Sequence, residues 1–208
     1  MPFRKVPALT VSRLSVYHRA LSTLPDEWII SSEEISDLTG YTAAQIRRDL
    51  TYFGQFGTPG RGYIVAELRQ RIGHILGIDQ DWKVALVGIG HLGSALLAYQ
   101  GFCERGFNIV AAFDNDITKI GKKWEGIVIE DISRLAESAV EKDIQMGILA
   151  VPAKAAREAF DLAVAAGIKA ILNFAPVRLT PPEGIQLINV DLAAEMERLS
   201  FFLARSRS

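Results

Sequence analysis

The chain contains 208 residues, 49% of them hydrophobic, which is enough for one large domain or two small ones. Its net charge is −1, it has a single cysteine, and none of its apolar runs approaches the roughly 18 residues that a membrane-spanning helix needs. These properties exclude an intrachain disulfide and a thiolate metal cluster, and the first residues lack the apolar stretch of a signal peptide. We therefore expect a cytoplasmic protein with no membrane partner.

The hydrophobic pattern changes near residue 80 and predicts an α/β protein with two domains. Helical periodicity dominates residues 1–78, which also hold a small excess of positive charge. Over 82–190, short apolar runs alternate with helical stretches, as in a mostly parallel sheet. The final segment, 191–208, is predicted to form a helix with one apolar face.

The first domain is predicted to contain a helix-turn-helix. One helix covers about 10–24 and stops before Pro25. The second helix opens with the capping box Ser31–Glu34, in which a hydroxyl and a glutamate satisfy free backbone amides. A third opens with a similar box, Thr42–Gln45, and continues through Leu50. Two short capped helices joined by a glycine-containing turn are typical of a DNA-binding module.

The outer face of the third helix is predicted to contact DNA. With Ile46 at angle zero and about 100° per residue, Leu50 and Phe53 form a buried stripe. Arg48 falls on the opposite face, where an arginine can reach guanine edges or phosphates. Its neighbours on or beside this face are Ala44, Thr51, Arg47 and Tyr52. Taken alone, an exposed arginine on a helix is more often simply solvated.

The segment after the third helix favours the DNA-binding interpretation. Residues 54–63 contain four glycines, and the strand-like sequence Tyr63–Val65 follows, which predicts the hairpin of a winged helix with Arg61 at its tip. An arginine on a slender arm suits the narrow minor groove of DNA. Lys5, next to Arg4, forms a second candidate arm against phosphates.

The second domain is predicted to be a doubly wound, Rossmann-like sheet. Its strands are expected at 83–87, 108–113, 127–129, 146–151, 168–174 and 185–190. Its helices are expected after Gly90 and over 132–142, 153–166 and 192–203.

A glycine-rich loop directly follows the first of these strands and predicts a dinucleotide site. The loop consists of Gly88, Ile89, Gly90, His91, Leu92 and Gly93. Gly88 permits a tight turn, Gly90 lets the backbone approach a pyrophosphate, and Gly93 lets the helix pack close to the strand. Asp114 ends the next strand, 21 residues after Gly93, where a carboxylate accepts hydrogen bonds from ribose and repels a 2′-phosphate. We therefore expect NAD(H) rather than NADP. The alternative is that the glycines only form a tight turn and Asp114 only caps a loop.

Residues that follow two other strands are further candidate ligand contacts, because ligands of such sheets bind beyond the carboxyl ends of the strands. They are Val151, Pro152, Asn173, Phe174, Ala175 and Pro176. Strand termination alone also explains their prolines. Tyr99, placed by the prediction in the helix after the glycines, either reaches the nicotinamide end or simply packs. His91 either touches a phosphate or faces solvent.

Together, these motifs closely resemble the Rex family of bacterial redox-sensing transcriptional repressors. The resemblance covers nearly the whole chain and rests on Ser12–Leu14 with Tyr17, Gln45–Gly54, Gly57–Tyr63, Val87–Gly93, Ala112–Asp114 and Gly167–Pro176. The family often has asparagine where His91 stands, a difference that leaves the roles of the glycines unchanged.

The resemblance implies a homodimer with an N-terminal winged-helix domain and a C-terminal Rossmann domain. Such proteins bind palindromic operator DNA when NADH is scarce, NADH releases them, and NAD⁺ competes for the same site. The family's last helix exchanges between subunits, so we expect 191–208 to be a swapped dimerisation helix. The expected DNA contacts are Lys5, Arg13, Thr42, Ala44, Gln45, Arg47, Arg48, Thr51, Tyr52 and Arg61.

Two other functions stay open at this point. One is an enzyme, either a small nicotinamide-dependent dehydrogenase or a CoA-ligase-like module, because the second half also resembles CoA-binding Rossmann domains. Against it, the three histidines offer no acid–base pair and the chain leaves no separate substrate domain. The other is an interaction protein that uses the predicted wing for protein contacts.

Overall fold

Residues 6–57 and 60–206 are described by the computed structural model. The chain divides between Gln80 and Asp81 into two compact units, within the segment that separates the two predicted domains. Over the described ranges, no helix is both long and apolar enough to cross a membrane.

The first unit is built mainly from helices that enclose one apolar core. Its elements are α1 (Ala8–Leu21), β1 (Ile29–Ile30), α2 (Ser32–Thr39), α3 (Ala43–Thr51), β2 (Tyr63–Ile64) and α4 (Val65–Leu76). Tyr17, Ile46 and Ile72 bring α1, α3 and α4 together in this core, where each is fully buried. The buried stripe predicted for the third helix is therefore confirmed at Ile46.

Helix α1 ends at Leu21, three residues earlier than predicted. The reason is local competition for backbone acceptors, because the hydroxyls of Ser22 and Thr23 donate to the carbonyl oxygens of His18 and Ala20. Pro25 therefore follows a helix that has already stopped.

The predicted helix-turn-helix is present. Its capping box at Ser31 is complete, whereas only one of the two hydrogen bonds of the box at Thr42 is formed. Ser31 and Glu34 satisfy each other's backbone amides, as predicted, and Gly40 ends α2 in the left-handed conformation with φ 74°. Thr42 accepts a hydrogen bond from the backbone N–H of Gln45. The side chain of Gln45 does not return to Thr42 but donates to Asp49.

The predicted wing differs from a regular hairpin. β2 pairs antiparallel with β1, and the described residues immediately before Arg61 form no strand of their own. Gly57 approaches Gly62 so closely that a Cβ on Gly57 would collide with the carbonyl oxygen of Gly62. Val65, predicted as strand, is buried and begins α4, a helix that the sequence analysis did not predict.

The second unit has the predicted doubly wound architecture. Its strands are β3 (Trp82–Val87), β4 (Phe107–Asp114), β5 (Lys123–Trp124), β6 (Ile127–Asp131), β7 (Met146–Leu149), β8 (Ala170–Asn173) and β9 (Gln186–Asn189). Its helices are α5 (His91–Leu97), α6 (Leu135–Glu141), α7 (Ala153–Ala165) and α8 (Leu192–Arg205). Among the described strands the order is β5-β6-β4-β3-β7-β8-β9, and all neighbours are parallel except β5 and β6.

Each face of this sheet has its own apolar layer. Along β3, Ala85 and Val87 join the layer that includes residues of α6 and α7, whereas Val84 and Leu86 join the layer that includes α5. This alternation follows from the two-residue period of a strand. Because both layers are apolar, the central strands are continuously hydrophobic, which made them readable from the sequence.

The last helix, α8, has no buried residue within this single chain. More than half of the surface of each of its large apolar side chains is exposed. They are Leu192, Met196, Leu199, Phe201, Phe202 and Leu203. A contiguous exposed apolar surface of this kind is typical of a protein–protein interface.

Candidate functional site

The glycine loop after β3 has the backbone geometry of a nucleotide-binding turn. Gly88 has φ +94°, and a Cβ there would lie 2.7 Å from the carbonyl oxygen of Ala150. A Cβ on Gly93 would collide with the carbonyl oxygen of Gly88, so glycine lets α5 start close to the strand. A Cβ on Gly90 would meet no protein atom within 4 Å. No contact within the protein therefore requires a glycine at position 90, and the space beside Gly90 is free for a ligand.

Asp114 lies at the end of β4, and its carboxylate is hydrogen-bonded to the backbone of the glycine loop. Its carboxylate accepts hydrogen bonds from the backbone N–H of Ile89 at 2.8 Å and of Asp116 at 2.9 Å, and from Lys119 Nζ at 3.0 Å. Burial alone would raise the pKa of Asp114, but these three donors outweigh it and hold the pKa below its ordinary value. Asp114 is therefore an anion at neutral pH.

A cleft of about 520 Å³ opens between the glycine loop and the ends of the neighbouring strands, a volume typical of small-molecule sites. Nine of the predicted nucleotide-binding residues line it: Gly88, Gly90, His91, Leu92, Asp114, Val151, Pro152, Phe174 and Pro176. Ile89 and Gly93 are buried behind the loop, where they fix its shape. The structure thus gathers residues from four separate segments of the sequence.

Asn173 and Ala175 support the wall of the cleft and do not line it. Asn173 is completely buried, donates to the carbonyl oxygen of Val177 and to Asn189 Oδ1, and accepts from the backbone N–H of Ala175. This network fixes the turn that presents Phe174 to the cleft.

Tyr99 does not lie where the sequence analysis placed it. Helix α5 ends at Leu97, so Tyr99 lies beyond the helix and not within it. The residue is 54% exposed, and its ring packs edge-on against Phe102 with ring centroids 5.1 Å apart. Tyr99 is not part of the cleft lining. Within the single chain, Tyr99 therefore packs against its neighbours and does not reach the cleft, as in the second of the two interpretations given above.

In the first unit, the outer face of α3 is exposed as expected for a DNA-contacting helix. Ala44, Arg48, Thr51 and Tyr52 are all exposed. The guanidinium of Arg48 has no hydrogen bond or ion pair with any residue that the structure describes. Arg48 is therefore free to bind a base edge or a phosphate.

Arg47 is held by α2. Its Nη1 donates to Ser32 Oγ and to Glu33 Oε1, each at 2.9 Å. Both partners of the ion pair are more than half exposed, so its stabilisation is small. The pair orients Arg47 at the edge of the exposed face of α3.

A buried carboxylate that the sequence analysis missed ties α3 to α1. Asp49 has no exposed surface, and its oxygens accept from Arg13 Nη2 at 2.7 Å, Tyr17 Oη at 2.9 Å and Gln45 Nε2 at 3.0 Å. Burial raises the pKa of Asp49, but the bonds from Arg13, Tyr17 and Gln45 outweigh burial and lower it. Arg13 and Gln45, both predicted as DNA contacts, are thus engaged inside the protein.

The glycine-rich loop after α3 is held by α4. Arg71 Nη1 donates to the carbonyl oxygen of Gln55, and its guanidinium lies 4.1 Å from the ring centroid of Phe56. A groove of about 850 Å³ runs between this loop, α2 and α3, and Arg47 and Arg61 both line it. Thr42 is at the N-cap of α3, and Lys5 lies outside the described residues.

Three residues with clear roles were missed: Asp49, Arg71 and Lys119. Only Asp49 had a readable signal, because about 100° per residue places this acid beside the apolar stripe of α3. An ionised side chain at such a position needs a buried partner. Arg71 lies on the helix that the sequence analysis did not predict.

Two family models match the chain. The model described as "CoA binding domain" matches residues 79–177, and the model described as "Putative DNA-binding protein N-terminus" matches residues 5–51. The second match lies within the first unit, and the first match begins two residues before the second unit and otherwise lies within it.

Curated proteins named "Redox-sensing transcriptional repressor Rex" are similar over nearly the full length. The protein from Pelotomaculum thermopropionicum is 47% identical, over 98% of this chain and 97% of its own. The protein from Desulfitobacterium hafniense is 48% identical, over 98% of each chain.

Solved structures show the same similarity in three dimensions. The crystal structure of RSP in complex with β-NAD⁺ and operator DNA has a TM-score of 0.93 and 37% identity, covering 98% of this chain and 95% of that chain. The structure of RSP in complex with β-NADH has a TM-score of 0.87 and 35% identity, covering 98% and 97%.

Proposed function

The chain belongs to the Rex family of redox-sensing transcriptional repressors, and we propose that it binds palindromic operator DNA as a homodimer and is released by NADH. The observation that supports this most strongly is the presence, in one chain, of a nucleotide cleft and an exposed arginine-bearing recognition helix. The relatives are named as repressors and not as enzymes. Such a protein works in the cytoplasm, where it meets both operator DNA and NAD(H).

The geometry of the cleft favours a dinucleotide as the ligand. The open space at Gly90 admits a pyrophosphate to the backbone, and the amides at the start of α5 have no side-chain cap. Asp114, ionised and 7% exposed, offers an acceptor to a ribose hydroxyl. The same charge disfavours a 2′-phosphate, so the ligand we propose is NAD(H) and not NADP(H).

The redox state must be read at the nicotinamide ring, because NADH and NAD⁺ differ only there. Val151, Pro152, Leu162 and Phe174 give part of the cleft an apolar lining. Burying the positive charge of the oxidised ring among such side chains costs free energy, whereas the reduced ring is neutral. The lining therefore favours NADH.

The exposed face of α3 is the part of the protein that we expect to enter the major groove. Arg48, with no partner among the described residues, is the best candidate for a base contact. Arg47 and Arg61 line the neighbouring groove and suit phosphate contacts. Arg13 and Gln45 act by positioning α3 through Asp49 and are not proposed as contacts.

A dimer explains both the exposed apolar surface of α8 and the use of a palindromic operator. Two recognition helices must lie about 34 Å apart to enter successive major grooves. A second copy of the chain covers α8 and sets this spacing. NADH needs only to favour an arrangement in which the spacing is lost, and a complete shift requires roughly 5.5 kcal/mol of differential binding.

The test is a titration of the wild-type protein onto a labelled operator duplex, followed by fluorescence anisotropy, with and without saturating NADH. We expect tight, salt-dependent binding without nucleotide and a large loss of affinity with NADH. An operator affinity that NADH leaves unchanged contradicts the proposal.

A further inference from the structure

The groove between α2, α3 and the glycine-rich loop of the first unit has two cationic residues and one acid on its walls. Arg47 and Arg61 are the cations, and Glu33 is the only acid among the described residues that line it. Thr51, on the exposed face of α3, lines the groove as well. The groove therefore adjoins the face that we expect to enter the major groove, and it is placed to receive the neighbouring sugar–phosphate backbone.

The carboxylate of Glu33 occupies the guanidinium of Arg47. Oε1 of Glu33 accepts a hydrogen bond from Arg47 Nη1 at 2.9 Å. This bond lowers the pKa of Glu33 below its ordinary value, so the side chain is an anion at neutral pH. Both side chains are more than half exposed, which leaves the pair open to solvent and able to exchange partners. While the pair is formed, Glu33 cancels the positive charge that Arg47 would otherwise offer to a phosphate.

The position of Arg47 does not depend on this carboxylate alone. The same Nη1 donates to Ser32 Oγ at 2.9 Å, and Ser32 is buried. A hydroxyl group orients the guanidinium without cancelling its charge. Removing the charge of Glu33 therefore leaves Arg47 oriented by Ser32 and free to neutralise a phosphate.

We propose that Glu33 determines the strength of DNA binding by competing with a backbone phosphate for Arg47. This inference rests on the proposed function, since it assumes that the exposed face of α3 meets DNA. Each phosphate that a protein cation neutralises releases counterions and steepens the fall of log affinity with log salt by about 0.9. Because this effect vanishes towards about 1 M salt, one such contact corresponds to roughly fivefold in affinity at physiological salt.

The test is a double-mutant cycle over a range of salt concentrations. Fluorescence anisotropy without nucleotide measures the affinities of wild type, Glu33→Gln, Arg47→Gln and the double variant for the operator duplex and for a scrambled duplex. We expect Glu33→Gln to bind roughly fivefold more tightly at physiological salt and to steepen the salt dependence by about 0.9. The gain should be equal for both duplexes, because a phosphate contact carries no sequence information. It should disappear in the Arg47→Gln background, because it requires the arginine.

Asp37→Asn is the matched control, because this exposed acid lies on the same helix, does not line the groove, and its side chain makes no hydrogen bond or ion pair with a described residue. It removes the same charge and should bind both duplexes like wild type. A Glu33→Gln protein that binds DNA like wild type, or more weakly, overturns the inference. An equal gain in Asp37→Asn or in the Arg47→Gln background also overturns it, since the effect would then be general repulsion. A wild-type protein that binds neither duplex overturns the proposed function itself.

Discussion

Replacing Asp49 by asparagine tests whether the buried cluster positions the recognition helix. The substitution keeps the shape of the side chain and removes its charge. Arg13, whose side chain is 17% exposed, then loses its anionic partner. The hydroxyl of Tyr17 loses a charged acceptor as well. The connection between α1 and α3 is weakened without any change on the outer face of α3.

Removing one partner from a buried ion pair typically costs 3–5 kcal/mol. We expect about 3 kcal/mol, the low end of that range, because Arg13 retains some contact with water and the asparagine oxygen still accepts a hydrogen bond. This corresponds to roughly a 100-fold faster exchange of backbone amides that open only when the whole first unit unfolds.

Hydrogen exchange followed by mass spectrometry is the suitable assay, since peptides from α1 and α3 report on the first unit alone. Asp37→Asn, an exposed acid on α2, is the matched control and should exchange like wild type. The lowered pKa of Asp49 adds a pH signature. The ionised carboxylate contributes its full stabilisation of the first unit above the ordinary pKa of 3.8, and this stabilisation is lost as the pH falls through the lower folded-state pKa. The difference in stability between wild type and Asp49→Asn should therefore narrow at acidic pH.

Operator affinity should fall in Asp49→Asn, whereas NADH affinity should stay the same, because the cleft lies in the other unit. The reasoning is refuted if Asp49→Asn exchanges its amides and binds the operator as wild type does.

Three further predictions concern the two sites and the dimer. Arg48→Ala should weaken operator binding by about 1–3 kcal/mol in an anisotropy assay and leave NADH binding intact; a loss of both would point to unfolding. Gly90→Val should abolish NADH binding in calorimetry without unfolding the protein, because its Cβ meets no protein atom within 4 Å, whereas Gly93→Ala should destabilise it by collision with Gly88. Retained NADH binding by Gly90→Val would show that the pyrophosphate lies elsewhere. Phe202→Glu, at a side chain 64% exposed in the single chain, should convert a dimer to monomers in sedimentation; an unchanged mass would place the interface elsewhere.

The features that the sequence predicted well are those set by local backbone requirements. The glycine loop is readable because Gly88 and Gly93 must be glycine whatever binds there. The parallel sheet is readable because its central strands are buried on both faces. The capping box at Ser31 is confirmed because its two hydrogen bonds join residues only three apart.

The features that the sequence did not reveal depend on contacts between distant segments. Val65 has the pattern of a strand, and its N–H still bonds to the carbonyl oxygen of Trp28 in line with the β1–β2 pairing, but its side chain is fully buried in the core at the first residue of α4. Arg13 and Gln45 look like surface groups until Asp49 is placed between them in space. Tyr99 was misplaced because nothing in the local sequence fixed the end of α5 at Leu97.

The coupling between the redox state of the nucleotide and DNA binding is measured most directly by the occupancy of the operator. The total concentration of NADH plus NAD⁺ is held fixed while the reduced fraction is varied. The account predicts that occupancy falls steadily as the reduced fraction rises, and that Gly90→Val stays bound throughout. An occupancy that is the same at every reduced fraction would contradict it.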